Sequence, residues 1–329
     1  MIRLLPEERP MITQYIYSLC AIALDQSKDY LIEGRLSPIA EQAGCRCFAE
    51  LVTKARTDST GALKRSIINE ITTNETLFFR DMSPFDLLRH KILPELIDRR
   101  SKTTQKVPLR VWSAACSTGQ EIYSVAMVIA ELLGDLSRYN IRLVGTDISD
   151  QAVTKASAGV FSHLEVSRGL MDSARARYFV SHPDGWKIRD ELRAMVTFRR
   201  LNLMEDFSSI GKFDVVFCRN VAIYFNEPDR ASLFNRIEQR MEPDGYLIVG
   251  SMESLSGLCP QFESKRHLRS VYYQSKLAAS NLAAAGSGTP DLMALSRLAS
   301  SPYAAAPRPV APTAAVPSLR PVLPLGGRK

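Results

Sequence analysis

From residue 109 onward the chain alternates short apolar runs with stretches of helical periodicity, and this alternation limits the possible folds more than any other feature. Leu109-Arg110-Val111-Trp112 reads as a strand ending in small residues. Ile122, Val125, Ala126, Ile129 and Leu133 then share one side of a helix over 121–133. Further strands are expected at 141–145, 196–198, 213–217 and 245–250, with a closing strand at Val271-Tyr272-Tyr273. A helix fits 228–241, where Pro228 suits a first turn because its missing N–H would have no partner there. Strands separated by helices imply a parallel sheet covered on both faces, an α/β architecture.

One interval breaks the repeat. Residues 148–195 are 48 long, whereas a crossover needs only about a dozen. The surplus holds Trp186, Ile188, Leu192 and Met195 behind the turn Pro183-Asp184-Gly185, so a small antiparallel insertion is expected at about 158–196. Upstream, only helical stripes are present: Ile12, Ile16, Leu19 and Ala23, then Phe48, Leu51, Val52 and Ala55, then Leu63, Ile67, Ile68 and Ile71. The expected organisation is an all-helical domain over 1–72, an α/β domain over 73–276 and a tail over 277–329. From residue 278 the tail holds 8 of the 18 prolines and 13 alanines, and it reads as disordered apart from a short helix near 292–298.

The 329 residues carry a net charge of +7, which invites a nucleic-acid reading. Its distribution argues otherwise. Residues 1–70 balance 9 basic against 9 acidic groups, 71–277 hold 28 against 25, and 278–329 hold 5 against 1. More than half of the excess therefore lies in the tail, and no nucleic-acid partner is expected. The six cysteines (20, 45, 47, 116, 218 and 259) follow no disulfide spacing. Cys45-Arg46-Cys47 has no second cysteine pair and no histidine nearby in sequence, so reduced thiols and no metal are expected. No secretory signal or apolar run of about 20 residues is visible, which points to a cytoplasmic protein without membrane insertion.

The first strand runs into Ala114-Ala115-Cys116-Ser117-Thr118-Gly119, whose small residues let backbone approach a ligand at a helix N-terminus. A single glycine and no following lysine exclude both the dinucleotide fingerprint and the P-loop. Asp147 ends the second strand, where a carboxylate can accept from both ribose hydroxyls. A loop with one glycine and an acidic Glu121 suits an adenosyl ligand without phosphate, namely S-adenosylmethionine.

Three segments carry a closer likeness. They are Ile71-Thr72-Thr73-Asn74-Glu75-Thr76-Leu77-Phe78-Phe79-Arg80, Trp112-Ser113-Ala114-Ala115-Cys116-Ser117-Thr118-Gly119-Gln120-Glu121-Ile122-Tyr123-Ser124, and Phe217-Cys218-Arg219-Asn220-Val221-Ala222-Ile223-Tyr224-Phe225. In this order they closely resemble the chemotaxis receptor methyltransferases, the CheR family, over roughly residues 10–276. The resemblance implies a class I S-adenosylmethionine-dependent methyltransferase, a Rossmann-like doubly wound sheet, with a helical N-terminal domain and a small β-subdomain. It implies methyl transfer to glutamate side chains on the cytoplasmic methylation helices of transmembrane chemoreceptors, leaving γ-methyl esters and S-adenosylhomocysteine. Matched by motif, Asn74, Thr76 and Arg80 reach the cofactor from the interdomain segment, and Glu121 and Asp147 meet its amino-acid and ribose parts. Asn202, Leu203, Arg219 and Asn220 line the adenine and substrate side.

A carboxylate attacking a sulfonium methyl needs no general base, so the site must supply geometry and partial desolvation. Arg80 can steer or neutralise the glutamate; otherwise it is a surface ion-pair residue. Tyr224 can orient it by a hydrogen bond or is simply a core aromatic beside Phe225. The family's helical domain contacts acidic receptor helices, which makes Lys28, Arg35, Lys54, Arg56, Lys64 and Arg65 candidates, or else an ordinary solvated face. The hairpin near 182–185 looks short, and independence from a receptor C-terminal pentapeptide tether is expected. Two other functions fit the sequence less well. Nucleic-acid amino-methyltransferases place two prolines after the fourth strand, where this chain reads Arg219-Asn220-Val221-Ala222. A catalytically silent scaffold would not need Arg80, Glu121, Asp147 and Asn220.

Overall fold

The structure is a computed structural model that describes residues 2–102, 104 and 106–276. The tail and the short helix expected at 292–298 lie outside the described residues. Four helices open the chain: α1 (Arg9–Cys20), α2 (Asp29–Gln42), α3 (Phe48–Thr57) and α4 (Ala62–Ile71). Their apolar stripes meet in one core, in which Ile12, Ile16, Phe48, Leu51, Ile67 and Ile68 are buried together. Beyond the interdomain segment, α5 (Ser83–Leu87) continues through a π-type turn over Leu88–Ile92 into α6 (Leu93–Ser101). Pro94, inside this run, has no N–H to donate one turn back, which accounts for the widened turn.

The α/β part follows as β1 (Val107–Ala114), α7 (Gln120–Leu133), β2 (Tyr139–Asp147) and α8 (Asp150–Ala158). Next come β3 (Val160–Phe161), α9 (His163–Ser167), α10 (Asp172–Tyr178), β4 (Phe179–His182), β5 (Gly185–Ile188) and α11 (Asp190–Arg193). The chain closes with β6 (Val196–Arg200), β7 (Phe213–Cys218), α12 (Glu227–Glu238), β8 (Met241–Val249), β9 (Phe262–His267) and β10 (Ser270–Ser275). The main sheet has the order β6-β2-β1-β7-β8-β10-β9. The five strands from β6 to β8 are parallel, and β10 and β9 run antiparallel at the far edge. The sheet is thus parallel through its centre, as the alternation of strands and helices implied, with an antiparallel pair added at one edge. The closing strand forms, but a hairpin inserts it between β8 and an edge strand that carries too few apolar residues to show alternation.

One further boundary moves. The helix expected to reach 241 ends at Glu238, and Met241 already pairs with Phe213 in β8. Between Met241 and Tyr246 the register slips, because Pro243 lacks a donor and Gly245 stands close to the Glu242 carbonyl, where a Cβ would come within 2.9 Å. Beneath the sheet, Trp112 packs on Phe207 and Phe213 at 5.3 and 5.6 Å, and its indole N–H donates to Thr146 Oγ1 at 2.9 Å. The insertion between α8 and α11 is a separate sheet in the order β3-β5-β4. Its ends meet: the Ile188 N–H donates to the Gly159 carbonyl at 2.9 Å.

Helices from the first part dock onto the second. Tyr17 of α1 hydrogen-bonds both Asp229 and Asn226, the N-cap of α12. Asn69 of α4 accepts from Ser149 Oγ at 2.9 Å. These contacts set the helical domain against the C-terminal ends of the parallel strands.

Candidate active site

The strand order reverses between β1 and β7, and the crevice outside their carboxyl ends is where an open α/β sheet receives a ligand. A cleft of roughly 930 Å³, counting its open mouth, lies there. Every residue assigned to the site from sequence lines it: Asn74, Thr76 and Arg80 from the interdomain segment, Glu121 from α7, Asp147 from β2, Asn202 and Leu203 after β6, and Arg219, Asn220 and Tyr224 after β7.

Three loop residues reach the cleft through left-handed backbone: Ala115 (φ 60°), Ser117 (φ 51°) and Asn220 (φ 58°). Such non-glycine conformations persist where the surroundings hold them, and they cluster at ligand sites. Gly119 must itself be glycine: at φ 94° a Cβ would stand 2.9 Å from that of Ala156.

Asp147 is buried at the tip of β2, taking one N–H from Ser117 (2.8 Å, Oδ2) and one from Ser149 (3.0 Å, Oδ1). Burial pushes its carboxyl above the ordinary range, against the pull of these amides and that of Ile148. Each oxygen retains acceptor capacity toward the cleft. Glu121 accepts from Ser113 Oγ at 2.7 Å and from Arg219 Nη1 at 2.9 Å. The Arg219 side chain is 1% exposed, donates its other terminal nitrogen to Asp81 and to the Arg80 carbonyl, and keeps a buried Nε with no protein partner among the described residues. Asn220 is fixed by its N–H to Glu253 Oε2 at 2.7 Å. Arg80 donates to the Glu75 carbonyl at 3.2 Å. Tyr224 packs half-buried against the core, and among the described residues its hydroxyl has no protein partner. Asn202 differs from its sequence assignment in one respect: its amide donates to the Leu19 carbonyl at 3.1 Å and accepts from Met204 N–H at 3.0 Å, so it ties α1 to the cleft wall.

Several residues of the cleft were not legible in the sequence. Cys20 and Ile22, at the end of α1, form part of its wall. Ala21 adopts φ 56° and turns the chain inward, and the Ala23 N–H donates to the Tyr224 carbonyl at 3.0 Å. Burial pushes the Cys20 thiol up to about 11, so it stays neutral and serves as apolar wall. No local pattern could reveal these contacts, because they span about 200 residues of chain. Asp81, which holds Arg219, directly follows the 71–80 motif, and that adjacency was the available signal; Glu253, which holds Asn220, lies beyond β8 and away from every recognised motif.

The lining carries three carboxylates, Glu75, Glu121 and Asp147, against two arginines, and Arg219 is already paired twice. Such a donor set opposes a polyphosphate and suits a cationic ligand with hydroxyls to donate. Ile148, Leu201, Leu203 and Val221 offer an apolar slot for a flat ring. The residues present therefore fit S-adenosylmethionine.

Comparison with known proteins decides the family. Residues 74–270 match the CheR methyltransferase SAM binding domain, and residues 9–72 match the CheR methyltransferase all-alpha domain. The chain belongs to the CheR methyltransferase family. Among its relatives, chemotaxis protein methyltransferase Cher2 of Pseudomonas putida is 38% identical over 267 residues, covering 80% of this chain and 95% of that protein. Chemotaxis protein methyltransferase 1 of Pseudomonas aeruginosa is 39% identical with the same coverage. Chemotaxis protein methyltransferase 1 of Vibrio cholerae is 37% identical, covering 80% of this chain and 94% of that one. As a CheR protein the chain has a class I methyltransferase fold, and its S-adenosylmethionine-binding domain contains all of the cleft residues except those contributed by α1, Ile22 and Thr72-Thr73.

Proposed function

We propose that this protein methylates glutamate side chains on the cytoplasmic helices of chemoreceptors. The supporting observation is that one cleft is lined both by Glu121 and Asp147 and by Arg80 and Tyr224, whose hydroxyl has no protein partner among the described residues. The chemotaxis names of the relatives point to the same substrate.

When bound, S-adenosylmethionine supplies a methyl group already activated on a sulfonium. Asp147, held by two backbone amides, receives the ribose hydroxyls. Glu121 faces the cationic amino-acid end, steadied by Arg219 and Ser113. Asn74 and Thr76 line the same end from the interdomain segment, Leu203 and Asn202 border the adenine slot, and Asn220 closes the wall toward the substrate. Arg80 offsets the charge of the incoming glutamate, and Tyr224 orients its nucleophilic oxygen. The glutamate oxygen–carbon bond forms as the sulfur–carbon bond breaks, giving a γ-methyl ester and S-adenosylhomocysteine without proton transfer. No residue has to act as base, because the nucleophile is already a carboxylate.

Substrate approach follows from what remains available on the helical domain. Arg35 does not point to a partner: its guanidinium caps the carbonyls of Ile71 and Thr72 at 3.1 and 3.2 Å. Lys54 donates to the Ala43 carbonyl, Arg56 lies over Tyr15, and Arg65 approaches Asp150. Lys28 pairs locally with Asp25, whereas exposed Lys64 has no ion pair among the described residues; these two are the receptor contacts we favour. In the β-subdomain, β4 and β5 are joined by only Pro183 and Asp184, and action without a pentapeptide tether is proposed on that ground.

Incubation with methyl-labelled S-adenosylmethionine and receptor-rich membranes tests the reading. Label on receptors that mild base releases is the expected result. Base-stable label would indicate N-methylation, and no label would indicate a scaffold. Absence of calorimetric heat with a receptor C-terminal pentapeptide is the expected outcome for the tether.

A further inference from the structure

Arg80 stands between two left-handed residues, Phe79 at φ 52° and Asp81 at φ 55°. A bulky aromatic rarely adopts that region, so the turn must be held from outside. Two anchors do so. On one side the Phe79 N–H donates to Ser124 Oγ at 3.0 Å, and that hydroxyl donates to the Gln120 carbonyl at 2.7 Å. On the other, Arg219 Nη2 donates to the Arg80 carbonyl at 3.0 Å and to Asp81 Oδ2 at 2.9 Å, while Nη1 reaches Glu121 at 2.9 Å. One buried guanidinium thus grips the cofactor-end carboxylate and the substrate-end turn together. Asp81 itself is outside the cleft lining and 41% exposed.

We propose that Asp81 is a positioning residue for methyl transfer: its carboxylate holds Arg219 against the Arg80 carbonyl and thereby fixes where the Arg80 side chain stands at the mouth of the cleft. This rests on the proposed role of Arg80 toward the substrate glutamate. Asp81→Asn keeps the shape and removes the charge. It is expected to lower kcat about tenfold, the scale of a sub-ångström misplacement, while the Kd for S-adenosylhomocysteine stays within about threefold and the melting temperature is unchanged. In an Arg80→Ala background the same substitution is expected to add nothing further, because it acts through Arg80. Hydrogen exchange of the wild type and Asp81→Asn, without substrate, is expected to show faster exchange over 77–82 in the variant. Unchanged exchange there, an unaltered kcat, or a full additional loss in the Arg80→Ala background would each overturn the proposal. Should the wild type fail to methylate receptors, the functional reading falls alone, and the exchange comparison still decides the role of Asp81.

Discussion

In its proposed role Asp147 accepts from both ribose hydroxyls best as a carboxylate, yet it sits where charge is disfavoured. Burial raises its carboxyl, and the backbone amides of Ser149, Ser117 and Ile148 only partly restore the charged form. As pH falls through that raised value the acceptor is neutralised and ligand affinity drops. Calorimetric titration of S-adenosylhomocysteine is therefore expected to weaken on acidification earlier than an exposed aspartate would dictate. Asp147→Asn should abolish that acid limb and cost about 1.5–3 kcal/mol of binding at neutral pH, the size of a charged hydrogen bond. At Arg80 the expectation concerns turnover: Arg80→Ala should leave folding intact and cut methyl transfer strongly. Near-normal transfer in initial-rate assays would contradict its role. Asp147 was legible from local chemistry, as a carboxylate at a strand end, whereas Arg80 was reached only through the family resemblance of the 71–80 segment. Tyr224 was ambiguous for a physical reason: it packs half-buried against the core and also lines the cleft.

Among the elements, α4 shows how a side chain that reads as a surface charge becomes structural. The last carbonyls of a helix are short of donors and carry its negative end, so a guanidinium placed there is favoured. Arg35, from α2, occupies that place and also reaches Thr73 Oγ1, one residue before Asn74. Arg35→Met is expected to destabilise the protein by about 1–2 kcal/mol in urea titration and to weaken S-adenosylhomocysteine binding. Lys64→Ala should instead leave both unchanged and raise the KM for receptor. The contrast between the two variants is the check. Periodicity exposed the helices of the first 72 residues and the buried parallel strands, whose apolar runs are unmistakable. It did not expose β9, whose residues Glu263, Ser264, Lys265, Arg266 and His267 suit a solvent-facing edge. The irregular start of β8, where Pro243 and Gly245 interrupt the pairing, was likewise hidden.

At the scale of the molecule, the two domains build one cleft. Ile22 and Cys20 supply wall, Asn202 holds the end of α1, and Ala23 fixes the carbonyl of Tyr224. A chain restricted to residues 73–276 is thus expected to bind S-adenosylhomocysteine at least about tenfold more weakly, a loss of 1.4 kcal/mol, measured by calorimetry alongside the full chain. None of this cooperation was readable in advance, since it joins positions far apart in the chain through single backbone contacts. The β-subdomain is the counterexample. It opens at Gly159, just after α8, and closes at Ile188, the end of β5, with the two ends hydrogen-bonded to each other. Phe161 and Phe179 within it pack on Phe78 and tie the subdomain to the interdomain segment, so changes of length are expected to be tolerated at the exposed β4–β5 turn, Pro183-Asp184. Variation in the length of that turn can therefore change the outer edge of the subdomain while the packing around Phe78 and the cleft residues stays constant.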